Sequence, residues 1–213
     1  EWDESLHSQD GRVLLTKDAV QTCKEYATWV QEHRTQLPQW FPIDNAQEAF
    51  RDTYPFHPAL LSVFERKWQA IPRFQRTRGV LRLLALWVSR AYEQGYRKTH
   101  RDPLIGLGTA PLEDSMFRSA LFEQLGENRL EVPVVTDVSG RKDSHSIRLD
   151  SEAVDTIRKT RLHQKAATAI FFESNGGQTL AEATVPEVRL DIAEPGVDIG
   201  NAETVLDSLA STC

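Results

Sequence analysis

The segment from about Thr77 to Glu93 constrains this chain more than any other. Val80, Leu83, Leu84, Trp87, Val88 and Ala91 recur at intervals of three and four residues, joined by Leu81 and Leu86. That is the period of an amphipathic helix, and the stripe is wide enough to predict a central helix packed on several sides. The start of the segment differs in kind. Arg76, Arg78 and Arg82 crowd its first turns, and Arg78 and Arg82, four residues apart, share one edge. The open N–H groups and the helix dipole at that end add to the guanidinium charge.

The charge is also misplaced for the chain as a whole. Between Glu65 and Arg101 there are ten Lys/Arg and two Asp/Glu, in a protein of formal net charge −6. A local positive field in an acidic chain points to a specific anionic partner, and phosphate suits a planar, permanently charged guanidinium best. Residues 112–213 carry 10 basic and 18 acidic side chains, which argues against a second large nucleic-acid surface there. Structural pairing of the arginines with acidic neighbours is the competing reading.

At 213 residues the chain is long enough to bury a sizeable core, as one large domain or two small ones. No apolar stretch approaches the ~20 residues of a membrane span, so no membrane partner is expected. Cys23 and Cys213 are the only cysteines, too few for a disulfide scaffold or a zinc cluster, and a reducing, cytoplasmic setting is the natural expectation.

Thr16 or Asp18 caps a helix that runs to about Leu37, and Asp44 opens a short one over Ala46 to Arg51. Pro58 suits the first position of the next, about Ala59 to Gln69. Asp102 to Pro111 reads as a linker, dividing a helical domain, residues 1–111, from an α+β region, residues 112–213. In the second region Leu112 to Leu125 reads as a helix. Val132 to Val135 and Ile147 to Leu149 read as strands, and Ser151 to Arg161 as a helix capped by Ser151. Ala166 to Phe172 is ambiguous between strand and helix. Helices over Val185 to Ile192, capped by Thr184, and Asn201 to Leu209 follow. The expected class is mainly α with minor β, a helical bundle followed by an incomplete winged-helix-like region.

Few other residues carry chemistry. His57, between Phe56 and Pro58, has no nucleophile elbow to serve and reads as a packed, hydrogen-bonded turn residue. His145 with Asp143 and Asp137 can be drawn as a metal cluster, but Arg141, Lys142 and Ser144 around them read as a solvated loop, and no metal ligands are assigned. Gly106-Leu107-Gly108 and Gly176-Gly177 match neither the GxxxxGK[ST] nor the GxGxxG phosphate pattern. Without a Walker A lysine the chain by itself is not expected to hydrolyse ATP, and no catalytic residue is assigned.

The block Tyr54-Pro55-Phe56-His57-Pro58, followed by Phe74-Gln75-Arg76-Thr77-Arg78-Gly79-Val80-Leu81-Arg82-Leu83-Leu84-Ala85, resembles the DUF499 family of large bacterial and archaeal AAA+ ATPases, which are linked by genomic context to phage defence. A looser likeness continues through Ala166 to Phe171 and Glu187 to Leu190 as far as Pro195-Gly196. The resemblance implies a fragment downstream of a nucleotide-binding core: a helical lid with an appended winged-helix-like region, non-catalytic alone. In AAA+ lids a Gly-x-x-Arg pattern carries the sensor 2 arginine, and Gly79-Val80-Leu81-Arg82 looks like it. Arg82 is then the candidate phosphate contact, with Arg78 and Arg76 in reserve. ATP and magnesium would be cofactors of the parent protein, and its missing N-terminal ATPase core the main partner. A homo-oligomer of the parent is a further expectation. The alternative is a helical module that binds protein or nucleic acid without an ATPase role.

Overall fold

The structure, a computed structural model, describes residues 14–71, 74, 76–98, 102–176 and 182–213. Eleven helices account for nearly all regular structure among them: α1 Lys17–Glu32, α2 Ala46–Thr53, α3 Pro58–Arg66, α4 Arg76–Tyr96, α5 Ser115–Leu125, α6 Glu131–Pro133, α7 His145–Glu152, α8 Asp155–Thr160, α9 Leu162–Ser174, α10 Val185–Asp191 and α11 Asn201–Thr212.

Several begin where side-chain chemistry dictates. Thr16 Oγ1 accepts the Ala19 N–H at the head of α1, and Pro58 opens α3 where no donor is needed. Thr184 and Glu187 form a reciprocal capping box on α10. The start of α9 is unusual. Arg161, just ahead of it, takes a left-handed backbone with φ 54°. The free amides of His163 and Gln164 donate to the two carboxylate oxygens of Asp150 in α7, at 2.9 and 3.1 Å.

The expected α+β class is wrong. The described residues are 71% helical, and the one β contact among them is an isolated bridge between Phe56 and Ile105. No winged-helix-like strand motif is present among the described residues. The supposed strand at Val132–Val135 lies in α6 and a π-helical turn, Val134–Val138, that continues it. Val134 and Val138 are the buried residues of that turn, four apart, so a β-branched run uses its apolar side chains at helical spacing. Pro133 sits early enough to lose no hydrogen bond. Ile147 and Leu149 lie inside α7, and Ser151 is in the last turn of α7 and does not cap the helix that follows.

One apolar cluster gathers Leu60, Phe64, Trp68, Leu83, Trp87, Phe117, Leu162, Phe172 and Val205. Trp68 stacks on Phe172 with centroids 5.4 Å apart, and its indole N–H donates to the Phe172 carbonyl at 2.9 Å. A second cluster joins Cys23, Tyr26, Val30, Phe41 and Phe50 to Leu104 and Leu190. The helix at the centre is α9, not α4. Nine of its 13 residues are buried, and it packs on α7, α10, α11 and the turn at Leu107–Thr109. That turn approaches so closely that a Cβ on Gly108 would stand 2.8 Å from the Lys165 Cβ, so the contact requires glycine.

Helix α4 buries Leu83 and Trp87 and leaves an opposite face open. Leu81, Ala85, Val88, Tyr92 and Tyr96 are exposed, Tyr92 to 75% and Tyr96 to 80%. The expectation of burial on several sides fails because the width of the stripe exceeds what the neighbouring helices cover.

Candidate functional site

The arginines selected from the sequence all lie on α4. Arg76 opens the helix, and its side chain is outside the described residues. Arg78 is exposed and makes no ion pair with the described residues. Arg82 donates to Glu123 of α5 at 2.8 Å, with both side chains more than half exposed. Such a pair is weak and open to exchange with another anion. Gly79 serves packing here. The Gln124 side chain lies where a Cβ would be, its Oε1 2.0 Å from that position, so glycine lets α5 seat against the first turn of α4.

The exposed positions Arg78, Leu81, Arg82, Ala85, Val88, Ser89, Tyr92 and Tyr96 follow one another at helical intervals and therefore form one face. It is cationic at the N-terminal end and apolar and aromatic along the rest.

On the far half of α4 an open groove of about 350 Å³ lies among Arg90, Arg97, Glu113, Ile147, Arg161 and Gln164. Its charges are answered internally. Arg90 meets Glu93 at 2.6 Å and Glu113 at 3.6 Å, Arg97 meets Glu93 at 2.6 Å, and Arg161 meets Asp102 at 2.5 Å. The glutamate beside Arg90, through its hydrogen bond, keeps that guanidinium firmly charged. The groove is therefore no match for the open arginine edge at the other end of the helix.

Sequence reasoning missed a dense charge cluster that is buried. Lys67, just past the end of α3, places Nζ 2.6 Å from Glu173 Oε2 in α9 and 3.1 Å from Glu187 Oε2 in α10. The first contact is electrostatic and not aligned as a hydrogen bond. The ammonium donates instead to the carbonyls of Glu173 and Glu182 at 3.0 and 3.1 Å and to Glu187. Arg66 bridges the same two carboxylates at 3.1 and 2.9 Å, with its guanidinium 3.6 Å from the Trp40 ring centroid. Burial raises the Glu173 carboxyl against the opposing pull of Lys67. At Glu187 burial acts the same way, but the Thr184 amide and Lys67 outweigh it and hold the group below its usual range.

Asp191, at the end of α10, completes the cluster, with both carboxylate oxygens buried and without a hydrogen-bond partner. Burial, reinforced by Glu173 and Glu187, pushes its acid form well above the usual range. Two cations thus face two carboxylates, while burial and the two glutamates favour the acid form of Asp191.

His57 borders the same region and is the packed turn residue its neighbours suggest. Its Nδ1 accepts the Ala59 N–H at 3.2 Å, which assigns the ring proton to Nε2, a buried donor without a partner. Burial pushes its pKa down to about 3, so the ring is neutral. His57 and Asp191 both line a cavity of about 20 Å³, large enough for one water. On another side of that cavity Lys165 is held by Asp102 at 2.7 Å and Glu194 at 2.9 Å. Burial would raise the Asp102 acid, but Lys165 and Arg161 together keep it below its usual range.

The only sequence signal for this cluster was position. Arg66 and Lys67 close an apolar helix, and Glu173 follows Ile170-Phe171-Phe172, sites where charged side chains are expected to turn outward.

Comparison of the chain with family models, with curated proteins and with solved structures finds no match. No helix among the described residues is long and apolar enough to cross a membrane.

Proposed function

We propose that this chain is a non-catalytic helical module of a larger AAA+ ATPase, docking through the open face of α4 and offering Arg82, with Arg78 beside it, to nucleotide phosphate held by the core. The observation that carries this reading is the composition of that face. Exposed apolar and aromatic side chains continue directly into two solvent-accessible guanidiniums in the first two turns of the helix. The helix is anchored behind by Leu83 and Trp87, so the arginines are displayed from a rigid support. Their effect would be positional and electrostatic, following phosphate charge as it changes during turnover. The Gly-x-x-Arg resemblance gives the same assignment to Arg82.

A nucleic-acid-binding module is less well supported. Among the described residues Arg90, Arg97, Arg129 and Arg158 are each matched to glutamate or aspartate, which weakens them as a track for a phosphate backbone.

The test is ATP turnover by the full-length polypeptide that carries this chain. Arg82→Ala is expected to lower kcat by about 10- to 100-fold, the scale for loss of one charge-stabilising donor. The melting temperature should stay within a degree or two, because the only partner lost is exposed. Unchanged turnover in Arg82→Ala, and in the Arg78→Ala/Arg82→Ala pair, would refute the role.

A further inference from the structure

Three side chains of different chemistry converge where the π-helical turn, α7 and the end of α11 meet. A carboxylate oxygen of Asp137, a ring nitrogen of His145 and Sγ of Cys213 all lie within 4.8 Å of one another. His145 Nδ1 stands 3.2 Å from Asp137 Oδ1, and this nitrogen is shielded from solvent without an aligned hydrogen bond. The nitrogen and the carboxylate are thus close without satisfying each other.

The geometry points to a zinc site formed by Asp137, His145 and Cys213. The donor set is the first argument. Magnesium and calcium take oxygen ligands, whereas an O, N and S combination suits zinc. A carboxylate and a thiolate together balance a divalent charge. Distance is the second. Zn–N and Zn–O bonds of about 2.0–2.2 Å and a Zn–S bond of about 2.3 Å place tetrahedral ligands roughly 3.3–3.8 Å apart. The Asp137–His145 edge, 3.2 Å, is close to that length, and the Cys213 thiol, within 4.8 Å of both, belongs to an exposed residue just past the end of α11. Three protein ligands leave a fourth position for water or an exogenous group.

The supports beneath the two inner ligands are the third argument. Ser144 and Ser146, on either side of His145, are buried. Ser144 Oγ meets the Val135 carbonyl at 2.8 Å and the Arg141 amide at 3.2 Å, and Ser146 Oγ bonds the Val138 carbonyl. These bonds tie the backbone of the segment carrying His145 to the turn carrying Asp137, so the two ligand positions are held together before any ion arrives. The segment that read as a solvated loop is pinned at its serines, and Asp143, the third member of the sequence-drawn cluster, is exposed and outside the triad. Cys213, 68 positions beyond His145, takes its place.

The experiment is titration of the metal-free chain with Zn²⁺ and with Co²⁺ as the spectroscopic probe. Expected are one ion per chain, tetrahedral cobalt bands in the visible, and a thiolate-to-cobalt charge-transfer band in the near ultraviolet. Cys213→Ser should abolish the charge-transfer band, and Asp137→Asn and His145→Ala should each weaken zinc binding at least about 10-fold. Cys23→Ser, which removes the only other thiol, should change nothing. Absence of the charge-transfer band from the wild-type chain, or its persistence in Cys213→Ser, would overturn the site, as would equal competition by Mg²⁺. The wild-type spectrum decides the matter even if a variant fails to fold.

Discussion

Helices α4 and α9 are both rich in apolar residues, yet they sit in opposite circumstances. Helix α9 is enclosed on nearly every side, and even its charged residues, Lys165 and Glu173, are buried in ion pairs. Helix α4 is longer and carries the wider stripe, but it presents arginines, tyrosines and aliphatic side chains to solvent. The width of an apolar stripe measures how much surface a helix can bury, and the neighbours decide how much it does. Where supply exceeds cover, the surplus marks a surface available to something else.

The sharpest way to break this comparison is at Lys67, which neutralises Glu173 from outside α9. Lys67→Met should destabilise the fold by about 3–5 kcal/mol, because it leaves carboxylates buried with Arg66 as their sole remaining cation. Urea denaturation measures this, and a loss below about 1 kcal/mol would show that the enclosed side is not held by its charges.

A smaller effect should come from pH. The unfolded imidazole of His57 has a pKa near 6.5 and the folded one about 3. Between those values the unfolded chain binds a proton that the folded chain refuses, so stability falls as pH falls through this window. Asp191 works in the opposite sense. Its raised folded pKa adds stability as pH drops through it towards the ordinary carboxylate range, which makes a variant necessary to isolate the histidine. His57→Asn keeps a side-chain acceptor for the Ala59 amide and removes the titration. Between pH 5.5 and 4 the wild type should lose about 1.4 kcal/mol per pH unit more than this variant, and parallel slopes would contradict the assignment.

The smallest effect belongs to the open helix. Tyr92→Ser on α4 should change stability by less than about 0.5 kcal/mol in the isolated chain, as surface substitutions generally do. A larger loss by the same denaturation assay would mean that this face is already covered.

Much of the helical framework was legible in the sequence because its signals are local. Thr16, Pro58, Thr184 and the four-residue spacing in α1, α4 and α11 act within one turn, and the helices form where they indicate. The misread segments depended on distant partners. Val132–Val135 has strand propensity, but the burial of Val134 and Val138 outweighs it. Ala166–Phe172 was ambiguous because a helix enclosed on nearly every side shows no clear period. The arginine edge was visible because clustered like charge is conspicuous. The Lys67 junction was not, because its members come from α3, α9 and α10, and nothing in a linear sequence pairs residues about 120 positions apart. Cys213, counted in the sequence, was not placed beside Asp137 and His145 for the same reason.

The arrangement at the head of α9 bears on how the protein can be cut and rejoined. The two amides that open this helix are answered by Asp150, thirteen and fourteen residues upstream. A breakpoint placed between them would transfer every residue of α9 while discarding the carboxylate that starts it. Any graft or chimera that borrows the central helix must therefore carry α7 along.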